Sequence, residues 1–204
     1  MIWDDKWEDF YANGSGNRYP DPAVVRFVLG NFGNVADRSQ IRILDLGSGR
    51  GGNLWLLARE GFSVYGIDGS PASIELAQSL LQKDNLNADI SLGDFSALKF
   101  ADGFFNAVID GASIQHNDRP SIHQILNEVH RVLKVGGCFF SMLLSQDQNL
   151  SACEFFTESF KESDIELIYD QFDNLEINHL HYTEDHGRRF IRFYLINAKK
   201  NRDR

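Results

Sequence analysis

The chain is 204 residues long, 43% hydrophobic and 24% charged, and its 29 acidic against 20 basic side chains leave a formal net charge of −9. A length of this order suits one domain with a full core, and the acidic balance opposes general attraction to nucleic acid or to an anionic membrane. No stretch approaches the roughly 18 apolar residues of a membrane span, the opening MIWDDKWEDF lacks the basic and apolar regions of a leader, and Cys138 and Cys153 offer neither a disulfide framework nor metal spacing. A soluble, cytoplasmic protein is expected, with no metal, no nucleic-acid partner and no membrane partner; its oligomeric state is unknown.

In chain order, Trp3, Trp7, Phe10 and Tyr11 recur at helical spacing with Asp4, Asp5, Glu8 and Asp9 between them, which predicts an amphipathic helix. Its aromatic stripe reads as core packing at Trp3 and Trp7. Residues 13–17 (NGSGN) are a loop by composition, and Asp21-Pro22 supplies an N-cap and first-turn proline for a helix with Val25, Val28, Leu29 and Phe32 on one face. These helices make up an N-terminal helical cap, residues 1–38, ahead of a core of residues 39–204.

The core opens with IRILDLGSGRGGN, residues 41–53. Ile41, Ile43, Leu44 and Leu46, interrupted by Asp45, predict a buried strand; Gly47, Gly49, Gly51 and Gly52 predict a tight turn that lets a cofactor approach the backbone; LWLLA begins a helix. VYGID, residues 64–68, supplies a second strand ending in an acid, so the whole reads as a nucleotide-binding βαβ unit. Gly47, Gly49 and Gly52 fit G-x-G-x-x-G with Asp68 near the place of a ribose-binding acid, which leaves a nicotinamide dinucleotide open on spacing. Asp45 argues the other way. A carboxylate two residues before the first glycine has the wrong sign for a pyrophosphate, whereas it suits the ammonium and sulfonium end of S-adenosyl-L-methionine.

These residues carry a resemblance. LDLGSGRGG followed by YGIDGS is similar to motif I and the next acidic motif of the class I S-adenosylmethionine-dependent methyltransferases. The family resemblance implies a Rossmann-like, seven-stranded, mostly parallel α/β sheet with an antiparallel last strand and helices on both faces. It further implies that Asp94 receives the adenine amino group while the backbone of Phe95 meets a ring nitrogen, and that the N-terminal helices cover the cofactor, bringing Tyr11, Arg18 and Tyr19 near it. S-adenosyl-L-homocysteine would be the product.

Later elements follow the same plan. Ser70-Pro71 caps a helix to about residue 84, a strand spans residues 88–92, and another spans residues 106–110. After the loop GASIQHNDR, a helix over residues 120–133 carries Ile122, Ile125, Leu126, Val129, Val132 and Leu133 on one stripe, leaving His123 and His130 as expected surface residues. EVHRVLKVGG resembles the family's helix, turn and fifth strand, with a turn at Gly136-Gly137 and a strand over residues 138–144. Residues 145–151 read as a polar loop, Ser163 with Glu166 as a capping box, and residues 175–181 and 190–196 as a terminal hairpin.

Ligands in such sheets lie beyond the carboxyl ends of the strands where strand order reverses. Residues 47–53, 68–70, 94–95 and 110–116 are therefore expected around one pocket. Asp68 is placed to accept two ribose hydroxyls in a fork; Asp45, Gly47, Ser48, Gly49, Gly69, Ser70 and Asp110 complete the cofactor site. Arg50 is either a partner for the cofactor carboxylate or a surface residue, and Asn53 either a ligand or a helix cap. His116 is the candidate general base. His181, Tyr182 and His186 are expected on the substrate rim, and His179 with His181 looks only faintly like a metal pair. The fourth strand ends in Asp110-Gly-Ala-Ser, unlike the signature of nucleobase amine methylation, and the central motifs resemble the small-molecule branch of the family. The acceptor expected is an oxygen of a small polar metabolite such as a sugar; an NAD-linked oxidoreductase and a non-catalytic S-adenosylmethionine-binding protein stay open as alternatives.

Overall fold

A computed structural model describes residues 5–146, 157–184 and 189–202. Seven strands, β1 (Arg42–Leu46), β2 (Ser63–Asp68), β3 (Asp89–Leu92), β4 (Phe105–Asp110), β5 (Leu133–Leu144), β6 (Asp173–Glu184) and β7 (Arg189–Lys199), form one sheet in the order β3-β2-β1-β4-β5-β7-β6. Neighbours from β3 to β5 are parallel, and β7 runs antiparallel to both β5 and β6. β6 thus points the same way as the parallel strands. β1 pairs with β2 on one side and β4 on the other, so the chain reverses its direction of travel across the sheet at β1, and the crevice opens at that carboxyl end. This is the expected mostly parallel, Rossmann-like architecture.

Both faces are covered because the central strands are apolar on both faces. Leu44 and Leu46 join Val108, Phe139 and Leu143 under α5 (Arg119–Val132) and α6 (Glu162–Ile168). Ile43 joins Ala107, Ile109 and Phe140 under α2 (Pro22–Phe32), α3 (Gly52–Arg59) and α4 (Pro71–Lys83). α2 is begun by Asp21, whose carboxylate accepts the Ala23 N–H, with Pro22 behind it, as expected from the sequence. Its buried stripe is Ala23, Val24, Phe27 and Val28, with Leu29 exposed. The helix is therefore rotated from the expected face, since Phe27 packs at 5.2 Å on Phe140.

Other departures have local causes. His130, expected on the surface, is buried with its ring edge-on to Phe172 at 5.4 Å, because it sits one residue from Val129 at the margin of the α5 stripe; His123 is exposed as expected. β5 begins at Leu133 and absorbs Gly136-Gly137 as an irregularity, with Gly136 at φ +82°, instead of starting after them. α6 begins at Glu162, with Asp164 accepting the Lys161 N–H at 3.1 Å, so the helix starts ahead of the expected Ser163–Glu166 box. β6 and β7 are longer than the expected strands. Trp3, Cys153 and residues 147–151 lie outside the described residues. Among those described, no helix is long and apolar enough to cross a membrane.

The α5 register is open to test by chemical denaturation: Ile125→Ala should cost about 2–5 kcal/mol by opening a cavity, while His123→Ala should stay within about 0.5 kcal/mol.

Candidate active site

The turn between β1 and α3 is built from left-handed glycines, with φ of +68° at Gly47, +49° at Gly49 and +82° at Gly51. A Cβ on Gly47 would stand 2.0 Å from Ser113 Oγ, and one on Gly49 would stand 2.9 Å from Tyr11 Oη. Glycine is thus demanded by conformation and by space. The turn hangs from β2: Gly47 and Ser48 donate to the Ile67 carbonyl at 2.8 and 3.2 Å, and Gly49 donates to Asp68 Oδ2 at 2.9 Å. The other Asp68 oxygen accepts the Ser70 N–H at 2.9 Å.

Beneath the turn lies Asp45, 1% exposed, with Oδ1 approached by Asn53 Nδ2 at 3.4 Å and Oδ2 without a hydrogen-bond partner among the described residues. Burial drives its carboxyl well above the ordinary range; the Asn53 amide opposes this, and the nearby charges of Asp110 and Asp68 add to it. Burial likewise raises Asp68, against the amides of Ser70 and Gly49. Asn53 does not cap α3, whose N-cap is Gly51; its Oδ1 instead accepts the Asp21 N–H at 3.2 Å.

α1 (Lys6–Ala12) and the loop after it close the site from above. Trp7, Phe10 and Tyr11 line the cavity beneath them. Arg50 does not project freely; its guanidinium donates to the carbonyls of Gly14 and Gly16 and so ties that loop over the turn. Tyr11 is driven above its usual phenol range by burial first and by Asp68 and Asp45 second. The opposite wall is the turn of residues 111–117, where His116 stacks edge-on with Trp7 at 4.8 Å and shares a 3.1 Å hydrogen bond between Nδ1 and Thr157 Oγ1.

The cavity measures about 350 Å³, at the small end of the roughly 300–1,000 Å³ typical of pockets for drug-sized ligands. Of the residues singled out in the sequence, Tyr11, Tyr19, Gly47, Ser48, Gly49, Arg50, Asn53, Asp68, Gly69, Phe95 and His116 line it. Tyr19 does so from a side chain 81% exposed. Asp45 is directly under it, and Ser70 is buried behind Asp68 as the N-cap of α4.

Three groups of the expected residues lie outside the cavity lining. Asp110 is not in the lining: it pairs in register with Leu46, not with Asp45, so its side chain points to the α5 and α6 face. There it accepts from Ser141 Oγ at 2.6 Å, Ser113 N at 2.6 Å and Ile114 N at 3.1 Å, and burial pushes its pKa to about 6. Asp94 accepts from Ser96 N and Oγ at 2.8 and 2.7 Å and makes a turn outside the lining. His181 and the neighbouring Tyr182 position sit on edge strand β6, two strands beyond β5, and His181 is not among the lining residues. His186 lies outside the described residues.

Sequence reading missed Trp7 and Phe10 as lining residues, along with Asn17, Asp21 and Asn117, whereas Ala112 and Ser113 fall in the expected 110–116 segment. The available signal was the aromatic stripe of α1, read there as core although this helix buries no residue fully. Among the described residues no group of three or more His, Cys, Asp or Glu is placed to hold a metal.

Comparison with known proteins shows what the chain is similar to. A model described as a methyltransferase domain matches residues 43–137, the span from β1 through the start of β5. TehB of Haemophilus influenzae, named a probable S-adenosyl-L-methionine-dependent methyltransferase, is 25% identical over 204 residues, covering 96% of this chain and 67% of that protein. The chain is thus similar to S-adenosyl-L-methionine-dependent methyltransferases from β1 to the start of β5, and to TehB over nearly its whole length. Human EEF1A lysine methyltransferase 2 is 37% identical over 105 residues, 48% of this chain and 44% of the human protein. The solved structure of Burkholderia thailandensis 1,6-didemethyltoxoflavin-N1-methyltransferase, with 1,6-didemethyltoxoflavin and S-adenosylhomocysteine bound, superposes at a TM-score of 0.73 with 16% identity, covering 97% of this chain and 87% of that one. The chain spans 62% and 67% of the length of two TehB relatives, about two thirds of each.

The residues present fit the family's cofactor. A buried carboxylate oxygen left unpaired and a turn that admits no Cβ suit a cationic ligand lying against the backbone.

Asp110 yields a pH test. Its raised pKa means that its contribution favours folding below about pH 4 and is lost as pH rises through about 6. Asp110→Asn keeps the shape without the charge. Its stability relative to wild type, from denaturant titrations, should therefore rise across pH 4–6.5 by up to about 3 kcal/mol; a difference flat in pH would contradict the assignment.

Proposed function

We propose that this methyltransferase moves a methyl group from S-adenosyl-L-methionine to a small-molecule acceptor, an oxygen of a small polar metabolite such as a sugar being the reading preferred. One observation carries the cofactor half: two buried carboxylates, Asp45 and Asp68, face a glycine turn with no cation among the described residues between them. Asp45 would hold the ammonium end, Asp68 the ribose hydroxyls, and Phe95 would pack near the adenine. A dinucleotide would set its diphosphate against Asp45, at a Coulomb cost made larger by burial. The bound cofactor supplies an activated methyl on sulfonium.

Alignment and exclusion of water do most of the work in such a displacement. Trp7, Phe10 and Tyr11 form the dry wall. His116 is the candidate base for an acceptor that arrives protonated, its ring held by Trp7 on one side and Thr157 on the other. Support for a small acceptor comes from the modest cavity and from the toxoflavin enzyme, whose named ligand is a small molecule. The net charge of −9 supports it too.

Calorimetric titration checks the cofactor assignment. S-adenosyl-L-methionine and S-adenosylhomocysteine should bind, NAD should not, and Asp68→Ala should weaken both by about 10–100-fold through loss of charge-assisted hydrogen bonds. With an acceptor in hand, His116→Gln should lower kcat by about 10²–10⁴-fold if His116 takes the proton; an unchanged kcat assigns it a contact role instead.

A further inference from the structure

α1 is seven residues long and buries none of them fully. Isolated helices shorter than about 12–15 residues are marginal in water, so this one depends on what it is tied to. Its aromatic face lines the ligand cavity, with Trp7 edge-on to His116. The polar anchor is on the adjacent side of the helix. Glu8 accepts the Ser70 hydroxyl at Oε2 and the Ala72 N–H at 3.2 and 3.3 Å from its two oxygens. Those donors belong to the N-cap and first turn of α4, where backbone N–H groups have no partner within the helix and the helix dipole favours an anion.

Ser70 is fully buried and serves two masters. Its backbone N–H is held by Asp68 Oδ1 and its hydroxyl by Glu8, while the same oxygen accepts the Ser73 N–H at 3.1 Å. Asp68 in turn holds Gly49 of the cofactor turn. A continuous run of hydrogen bonds thus links the glycine turn, Asp68, Ser70 and Glu8 of α1.

We propose that Glu8 is a positioning residue that latches α1 over the cofactor cavity, and that the Glu8–Ser70–Asp68 relay couples the latch to the ligand. The coupling rests on the cofactor reading above, because Asp68 is the group taken there to meet the ribose. α1 lies across the mouth of the cofactor cavity, so loosening its latch speeds escape of the bound ligand.

The test uses the full chain, with S-adenosylhomocysteine as the probe, in wild type, Glu8→Ala and Glu8→Gln. Amide hydrogen exchange over residues 6–12 should be about tenfold faster in Glu8→Ala in the absence of ligand, with β4 unaltered. S-adenosylhomocysteine should leave Glu8→Ala about tenfold faster. Glu8→Gln, which keeps an acceptor oxygen but loses the charge, should fall between the two. Wild-type exchange across residues 6–12 in Glu8→Ala would overturn the latch. Faster exchange with an unchanged dissociation rate would overturn the coupling. A wild-type chain that does not bind S-adenosylhomocysteine overturns the cofactor reading instead, and the ligand-free exchange data still decide the latch.

Discussion

Asp68 sits where three parts of the molecule meet. It ends β2, and its two oxygens reach in opposite directions, one to Gly49 in the turn after β1 and the other to Ser70 at the head of α4. Each is a charge-assisted bond worth about 1.5–3 kcal/mol when buried, enough to hold two loops that have little apolar surface of their own. The turn can accept this only because Gly47, Gly49 and Gly51 take left-handed angles. The crevice at the β1 and β4 switch point is therefore shaped as much by one acid as by the sheet beneath it.

The alternation of side chains along a strand then sorts the acids into two roles. Asp45 and Asp68 fall on the face that carries α3 and α4, under the glycine turn; Asp110, in register with Leu46, falls on the other. Asp110 is wholly consumed by Ser141, Ser113 and Ile114 and braces the wall that carries His116, while Asp45 keeps an oxygen unpaired below the cavity. An unpaired buried acceptor is expensive in a finished structure. It is understandable where a cationic ligand completes the site.

Much of this was readable beforehand because the signals were periodic or conformational. Glycines in a turn between an apolar strand and a helix admit few interpretations, and helix starts at Asp21-Pro22 and Ser70-Pro71 fell where the residues placed them. What failed depended on direction or distance. Period-2 alternation locates Asp110 only once the register with β1 is known. His181 lies at the correct end of a strand running the correct way, but β7 intervenes and carries it away from the cavity. Trp7 and Phe10 had helical spacing that core packing and cavity lining share equally. Glu8, one acid among several on a short amphipathic helix, carried no local signal: its partners stand more than sixty residues away in sequence.

The N-terminal helices also divide by function of place. α2 is an ordinary covering helix whose Val24 and Val28 are fully buried against the sheet, and α1 with its following loop is held by Glu8 and Arg50 across the cavity mouth. The most direct trial of the whole account is a structure of the chain with S-adenosylhomocysteine. The account predicts the ribose hydroxyls within hydrogen-bond distance of Asp68, the ammonium group beside Asp45, and α1 closed with Glu8 still on Ser70 and Ala72. Ligand bound elsewhere, or bound here with its ribose away from Asp68, would contradict it.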